Sequence, residues 1–197
     1  MQGVLSEPVE LAPEVERRLR FYAELLARWT QRINLVSRGD AAQIWGRHVL
    51  DSLRLLRLIP PGTRRGIDLG SGAGLPGLVL AVASGITFDL VESDRRKAAF
   101  LMEAARVTGA PVLVHAERIE RLDLEPAPLV TARALAPLDA LLGLAAPHLA
   151  PGGTALFPKG EQAGDEIEAA RRTWRFGLEI AGETHAPILV VTRPERV

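Results

Sequence analysis

The sequence contains no cysteine among its 197 residues. A disulfide framework, a thiolate metal site and a cysteine nucleophile are therefore excluded. The four histidines show neither the spacing nor the neighbouring carboxylates of a metal site, so we predict no bound metal. Tyrosine is nearly absent too, because Tyr22 is the only one and no lysine lies near it. A Tyr-x-x-x-Lys pair for hydride transfer is therefore missing, which disfavours an NAD-dependent oxidoreductase.

The chain also has no excess of charge of either sign. Lys+Arg and Asp+Glu both number 24, so a bulk basic field does not attract its partner. Only Lys97 and Lys159 are lysines, which leaves 22 arginines. No apolar run reaches membrane-spanning length, and the N-terminus has early acidic residues where a signal peptide would be basic. We therefore predict a cytoplasmic protein, and its 47% of hydrophobic residues suffice for the core of one ordinary domain.

The first sixty residues indicate helices and no strand. Pro13 suits a first helical turn, and apolar residues recur at steps of three and four over residues 13–33, which predicts an amphipathic helix. Asp40 is a candidate N-cap for a second helix, which a Pro-Pro-Gly sequence would end. No linker follows, so we predict that residues 1–62 form a helical cap packed on a domain of residues 63–197.

Strands and helices alternate in the rest of the chain. The predicted strands cover residues 66–69, 87–91, 111–114, 129–131 and 154–157. The predicted helices between and after them cover residues 75–84, 94–109, 138–149 and 166–174. Two closing strands, 178–181 and 188–192, have no helix between them. This pattern predicts an α/β fold with a mostly parallel, doubly wound sheet and an antiparallel pair at its edge.

The strongest local signal is the sequence DLGSGAGLPG, which runs from Asp68 to Gly77. It follows a predicted strand and opens a predicted helix, and Gly72, Gly74 and Gly77 satisfy the G-x-G-x-x-G pattern of dinucleotide-binding proteins. We expect a bound cofactor at this position. A phosphate-binding P-loop is excluded, because no Lys-Ser or Lys-Thr follows the glycines.

Asp68 decides between the two kinds of cofactor that such a loop holds. A NAD or FAD dinucleotide would place its pyrophosphate close to this carboxylate, which would repel it. S-adenosylmethionine has no phosphate and carries an ammonium and a sulfonium, both of which a carboxylate attracts. Glu92, at the end of the second strand, suits the ribose hydroxyls of either cofactor. The sequence therefore favours S-adenosylmethionine.

The residues that are missing also restrict the methyl acceptor. Methylation of pyrimidine C5 usually needs a cysteine adduct, and methylation of exocyclic amino groups uses an Asn/Asp-Pro-Pro-aromatic loop. This chain has no cysteine, and the loop after its fourth strand reads Thr131-Ala132-Arg133-Ala134. Ribose 2′-hydroxyl methylation often uses two lysines, and this chain has no more than two. Guanine N7 carries an in-plane lone pair and needs no deprotonation, so it suits an enzyme without an obvious general base.

Seven short stretches carry a resemblance to a known family. They read NLVS from Asn34, RHVLDS from Arg47, the loop from Asp68 to Gly77, VES from Val91 with Lys97 and Phe100-Leu101, RIE from Arg118, Arg133-Ala134, and Lys159-Gly160. Over about residues 21–192, the chain resembles the bacterial 16S ribosomal RNA guanine-N7 methyltransferases, also called the glucose-inhibited division protein B family. The combination of R-H-x-L-D-S with G-L-P-G is the most specific part of this resemblance.

The resemblance implies a Rossmann-like class I S-adenosylmethionine-dependent methyltransferase with an N-terminal helical cap. The substrate would be N7 of guanine-527 in 16S rRNA of the small ribosomal subunit. The cofactor contacts that the family motifs imply are Gly70, Leu75, Ile119, Glu120 and Arg133. The residues themselves add Asp68, Gly72 and Glu92 to this set. We expect Arg47, His48, Arg133 and Lys159 to hold the RNA and the target base, with no general base.

A local excess of positive charge predicts where RNA binds. Residues 28–57 contain six arginines and two aspartates. The arginines are Arg28, Arg32, Arg38, Arg47, Arg54 and Arg57. Arginine suits phosphate contacts and stacking on bases, although an ordinary solvated helix face is the competing interpretation. We expect no DNA or membrane partner and a monomeric chain. A non-catalytic sensor of S-adenosylmethionine stays open from the sequence alone.

Overall fold

The computed structural model describes residues 9–37, 39 and 43–197, and strands alternate with helices along it from residue 65. The helices are α1 (Pro13–Thr30), α2 (Leu50–Leu53), α3 (Gly77–Ser84), α4 (Arg95–Thr108), α5 (Leu138–Ala145) and α6 (Ala163–Ala170). The strands are β1 (Arg65–Leu69), β2 (Thr87–Val91), β3 (Val112–His115), β4 (Ala127–Thr131), β5 (Leu149–Pro158), β6 (Trp174–Glu183) and β7 (Ala186–Arg196).

The seven strands form one sheet in the order β3-β2-β1-β4-β5-β7-β6. The first five of these strands are parallel, whereas β7 runs antiparallel to β5 and β6. The predicted α/β fold and its antiparallel edge pair are therefore confirmed. The strand order reverses between β1 and β4, so the carboxyl ends of these neighbours open a crevice of the kind that binds ligands in doubly wound sheets.

Helices cover both faces of the sheet because alternate strand residues point to opposite sides. On one face, Leu90 and Leu129 of the sheet join an apolar cluster with Leu19 of α1 and with side chains of α3 and α4. On the other face, Ile67 and Val130 pack with side chains of α5. Both clusters are almost free of solvent exposure, which fixes the strand ends that carry the site.

The N-terminal helix α1 lies against α4 and is fastened to it by polar contacts. Arg18 donates hydrogen bonds to the backbone carbonyls of Thr108 and Gly109, which have no partner within α4 because the helix ends there. Trp29 Nε1 donates to Glu103 Oε2 at 3.1 Å. These contacts hold α1 over α3 and α4, while the domain boundary at residue 62 stays a prediction.

The second predicted helix is present, and it is irregular. Its candidate N-cap, Asp40, lies outside the described residues. The chain forms a π-helical turn over Trp45–Val49, then α2, then a 3-10 turn over Arg54–Leu58. The Ser52 hydroxyl donates to the His48 carbonyl at 2.7 Å, a side-chain bond that competes with the regular helical pattern.

Other helix ends differ from the prediction by a few residues. Helix α1 ends at Thr30, whose hydroxyl bonds the Leu26 carbonyl at 2.8 Å. Helix α5 ends at Ala145 because Pro147 has no N–H to continue it. Helix α3 begins at Gly77 instead of residue 75, after a turn of the preceding loop. Within the described part of the chain, every helix is too short or too polar to cross a membrane.

Candidate functional site

A cavity of about 390 Å³ opens at the carboxyl ends of β1 and β2, at the crevice between β1 and β4. Its wall contains seven of the eight residues that the sequence predicted for cofactor binding. They are Gly70, Gly72, Leu75, Glu92, Ile119, Glu120 and Arg133. The wall also includes Leu35, Ser93, Lys97 and Leu144, which the sequence had not assigned to the cofactor. The contacts of these residues with a cofactor stay a prediction.

The glycines of the loop after β1 meet two different requirements. Gly70, Gly72 and Gly74 have φ angles of +66°, +54° and +87°, in the left-handed region where other residues are strained. Gly77 is needed for space, because a Cβ there would lie 2.5 Å from the Cβ of Asp68. The glycine pattern therefore combines a tight backbone turn with close packing of helix α3 on strand β1.

Gly72 faces open space on the ligand side of the loop. A Cβ at this position would meet nothing closer than the Gly70 carbonyl oxygen, at 3.8 Å. Since Gly72 also lines the cavity, a larger side chain there would extend into the volume that a cofactor needs. The loop is therefore shaped for a ligand that approaches the backbone closely.

Glu92 fastens the glycine loop to strand β2. Its Oε2 accepts a hydrogen bond from the Gly72 N–H at 2.9 Å, and its Oε1 accepts one from the Asp94 N–H at 2.7 Å. The side chain is almost buried but still lines the cavity. Each carboxylate oxygen has a second lone pair, so Glu92 retains acceptors for ribose hydroxyls.

Tyr22 holds the same loop from the cap, a role that sequence reasoning missed. Its hydroxyl donates to the Ala73 carbonyl at 2.6 Å across 51 positions of the chain. Burial raises the pKa of Tyr22 well above its ordinary value of 10, so the hydroxyl keeps its proton for this bond. The sequence shows only one apolar position of helix α1, where phenylalanine would fit the pattern equally well.

Asp68 is not among the residues that line the cavity, and its contact with a cofactor stays a prediction. The residue is fully buried beneath the loop and is absent from the cavity wall. Thr131 Oγ1 donates to Asp68 Oδ1 at 2.6 Å, which joins the carboxyl ends of β1 and β4. Burial raises the pKa of Asp68 from 3.8 to about 6, against the opposing effect of the Thr131 hydrogen bond. The carboxyl group therefore supports the loop from below.

Ile119 and Glu120 lie in a 3-10 turn, Ile119–Arg121, at the side of the cavity opposite to the cap. The His148 side chain is almost fully buried, and the backbone of Ile119 is among the groups that influence its pKa. Burial lowers the pKa of His148, so the imidazole stays neutral.

A second cavity of about 580 Å³ adjoins the first. All four residues predicted to hold RNA and the target base line it, namely Arg47, His48, Arg133 and Lys159. The two cavities share Arg133, Ala134 and Leu135 as a common wall. Groups bound in the two cavities would meet at this wall, which follows the carboxyl end of strand β4.

Arg133 is oriented by contacts with the cap. Its Nη2 donates to His48 Nδ1 at 3.2 Å, and its Nη1 lies 3.5 Å from Asp51 Oδ2. Asp51 Oδ1 also accepts a hydrogen bond from Arg54 Nη1 at 3.0 Å. Arginine has no acceptor, so His48 Nδ1 is the acceptor in this bond. Asp51 thus contacts two arginines, Arg54 and Arg133.

Lys159 uses two of its three N–H donors in contacts within the protein, which leaves one for the RNA contact expected of it. Its Nζ donates to the Ala136 carbonyl at 2.8 Å and to Glu166 Oε2 at 2.6 Å. Only 9% of its side chain is exposed. Glu166, which the sequence did not suggest, also lines the second cavity and accepts a hydrogen bond from the Leu138 N–H at 2.8 Å.

The arginine-rich segment is only partly available at the surface. Arg28, Arg32, Arg47 and Arg57 are exposed, and Arg38 lies outside the described residues. Arg54 is half-buried and reaches across to the Ala186 carbonyl in the β6–β7 hairpin, at 3.3 Å. Among residues 9–37, 39 and 43–197, His, Asp and Glu side chains form no group that could hold a metal ion.

The raised pKa of Asp68 predicts a pH-dependent stability. The folded state favours protonated Asp68, so its contribution is complete below pH 4 and is lost as the pH rises through 6. Between pH 7.5 and 5 the wild type should gain about 1 to 1.5 kcal/mol of unfolding free energy relative to Asp68→Asn. Urea unfolding of both proteins at several pH values measures this difference.

Asp94→Asn is the matched control, because backbone hydrogen bonds from Arg96 and Lys97 lower the pKa of Asp94. Relative to Asp94→Asn, the wild type should gain no unfolding free energy between pH 7.5 and 5. Parallel stability curves for the wild type and Asp68→Asn would contradict the assignment of a buried, easily protonated carboxyl.

Comparison with known proteins identifies the family of the chain. The family described as rRNA small subunit methyltransferase G matches residues 15–186. A protein of that name from Rhodospirillum centenum is 55% identical over 82% of this chain and 75% of its own length. Another from Granulibacter bethesdensis is 51% identical over 93% of this chain and 88% of its own.

Solved structures of low sequence identity share the fold. The N-methyltransferase NodS from Bradyrhizobium japonicum, in complex with S-adenosyl-L-homocysteine, aligns with a TM-score of 0.60 and 14% identity over 86% of this chain and 99% of that one. The O-methyltransferase from Bacillus cereus gives a TM-score of 0.58 and 14% identity over 94% and 93%. With the fold shared at this distance and about half of the sequence shared with close relatives, the chain belongs to the rRNA small subunit methyltransferase G family.

Proposed function

We propose that the chain transfers the methyl group of S-adenosylmethionine to N7 of guanine-527 in 16S rRNA of the small ribosomal subunit. The observation that carries this proposal is the common wall of two cavities, formed by Arg133, Ala134 and Leu135. Methyl transfer is an in-line displacement, so donor and acceptor must approach from opposite sides. Two adjoining cavities supply such an approach, and the family relatives are named for methylation of small-subunit rRNA.

The first cavity fits S-adenosylmethionine. The open side of Gly72 admits a ligand close to the backbone, and Glu92 retains lone pairs for ribose hydroxyls. The turn at Ile119 and Glu120 would flank the adenine. When bound, S-adenosylmethionine supplies an electrophilic methyl group and leaves no further activation for the protein to provide. The solved relative NodS, which has S-adenosyl-L-homocysteine bound, has the same fold.

The second cavity would hold the target guanine and position it without removing a proton. Guanine N7 already presents a lone pair, and the methylated ring gains a positive charge. Arg133 and His48 bind each other at 3.2 Å, so the arginine charge is directed at the histidine as well as at the substrate. Cations against the five-membered ring of guanine would oppose the positive charge that methylation creates there, whereas cations at O6 or at phosphates would not. Arg47, Arg133 and Lys159 would therefore hold those groups.

The partner follows from the same proposal. The substrate is 16S rRNA, naked or within the small subunit, and the protein would act on it in the cytoplasm as a monomer. The exposed Arg28, Arg32, Arg47 and Arg57 would supply phosphate contacts, and Arg47 also lines the second cavity. DNA and membranes are not expected as partners.

The direct test is methylation of 16S rRNA by the purified protein. We expect incubation with S-adenosylmethionine and unmodified small subunits to add one methyl group, which mass spectrometry of nuclease fragments would locate at N7 of guanine-527. Naked 16S rRNA serves as the second substrate. Methylation at another nucleotide would disprove the proposed target, and methylation of neither substrate would disprove the proposed activity.

Gly72→Val should prevent cofactor binding while the chain still folds. The valine side chain would enter the cavity, so calorimetric titration should show at least a 100-fold weaker affinity for S-adenosylmethionine, on the order of 3 kcal/mol. NAD should give no binding heat with the wild type. Gly152→Val is the control, because Gly152 has a similar φ of +76° and open space but lies away from the cavity. Unchanged affinity in Gly72→Val with a native circular dichroism spectrum would contradict the proposed site.

The rate of the chemical step should vary little with pH. Since no side chain removes a proton from the base, single-turnover transfer at saturating S-adenosylmethionine and RNA should change less than about twofold from pH 6.5 to 8.5. His48→Ala should lower the rate without introducing a pH dependence. A rate that rises tenfold per pH unit in the wild type, and loses this rise in His48→Ala, would make His48 a general base.

A further inference from the structure

Lys159 and Glu166 form an ion pair on the part of the second cavity that is farther from the cofactor. Both residues line this cavity, and neither lines the first. Their Nζ and Oε2 atoms are 2.6 Å apart, and 23% of the Glu166 side chain is exposed. The mechanism proposed above gives no role to Glu166, whose negative charge is unexpected in a site for RNA.

The hydrogen bonds within this pair leave one donor and one acceptor for a ligand. The Lys159 ammonium has three N–H groups, of which one is used by the Ala136 carbonyl and one by Glu166. Glu166 Oε2 accepts from both Lys159 and the Leu138 N–H. No described residue donates to its other oxygen, Oε1. The pair therefore offers one N–H and one carboxylate oxygen side by side.

We propose that Lys159 and Glu166 recognise the Watson–Crick edge of the target guanine, an inference that rests on the proposed function. When N7 faces the wall shared with the first cavity, the N1 and N2 positions lie on the opposite side of the purine. Guanine presents there an O6 acceptor beside the N1–H and N2–H donors. The Lys159 N–H complements O6, and Glu166 Oε1 complements the two donors.

The same pair rejects adenine. Adenine presents an N6 amino donor where guanine has O6, and an N1 lone pair where guanine has N1–H. The N6 amino donor would face the N–H donor of Lys159, and the N1 lone pair would face the carboxylate acceptor of Glu166. The pair thus selects the base by its far edge, while chemistry takes place at N7.

Inosine at position 527 tests this inference, because inosine is guanine without the N2 amino group. A synthetic segment with inosine can be ligated into 16S rRNA, and the single-turnover rate at subsaturating RNA can be compared with that for guanine. The wild type should prefer guanine by about tenfold, the effect of one hydrogen bond to a charged acceptor. The effect of inosine on the RNA itself is common to all protein variants and cancels between them.

Glu166→Gln should remove this preference. Because Lys159 and the Leu138 N–H both donate to the Oε2 position, the glutamine oxygen must occupy it, and the amide NH₂ then faces the base. Donor would meet donor at N2, so the guanine-to-inosine ratio should fall to about one or below. Glu166→Asp, which keeps the charge but has a shorter reach, should also lower the ratio. Glu168→Gln is the control, because it is exposed on the same helix and should keep the wild-type ratio.

The outcomes separate the two proposals. A wild type that methylates neither RNA would disprove the proposed function. A wild type that methylates guanine and inosine equally would overturn the recognition role of Glu166, whatever the variants do. A tenfold ratio that persists in Glu166→Gln or Glu166→Asp would overturn it as well. A merely structural role for Glu166 predicts equal losses for both bases and an unchanged ratio.

Discussion

The site depends on one short loop, between β1 and α3, whose backbone takes left-handed conformations at three glycines. Such a turn is held in place by bonds to the surrounding structure, and here they come from two directions. Glu92 on strand β2 binds the Gly72 N–H, and Tyr22 on helix α1 binds the Ala73 carbonyl. The loop is therefore held by both the sheet and the cap, and a displacement of α1 would also displace the loop that lines the first cavity.

The residues that line both cavities are also held by contacts from the sheet and from the cap. Strand β4 ends at Thr131, which is bonded to the buried Asp68 of β1, and Arg133 follows two residues later. Its guanidinium is oriented by His48 and Asp51 of the cap. The cap thus contributes to both cavities, through Tyr22 on one side and through the R-H-x-L-D-S segment on the other.

The distribution of charge agrees with a protein that binds a polyanion through local contacts. Several arginines of the cap are exposed, and Arg47 among them lines the second cavity, although the chain as a whole is neutral. Others are bound by carboxylates, as Arg54 is by Asp51, and help to assemble the site. Lys159 is likewise paired with Glu166. In the proposed mechanism, buried pairs shape the base pocket and exposed arginines hold phosphates.

The sequence by itself determined the order of strands and helices, the antiparallel edge and the place of the glycine loop, because apolar periodicity and turn residues are local signals. The family resemblance also grouped Arg47, His48, Arg133 and Lys159, which line one cavity. Only the tertiary structure decided the orientation of side chains. It placed Asp68 beneath the loop and outside the cavity wall, and it divided the second helix into a π-helical turn, a short α-helix and a 3-10 turn. It brought Tyr22 to Ala73 and Glu166 to Lys159, because each pair is made by packing between elements, and no local pattern encodes which way a buried polar group points.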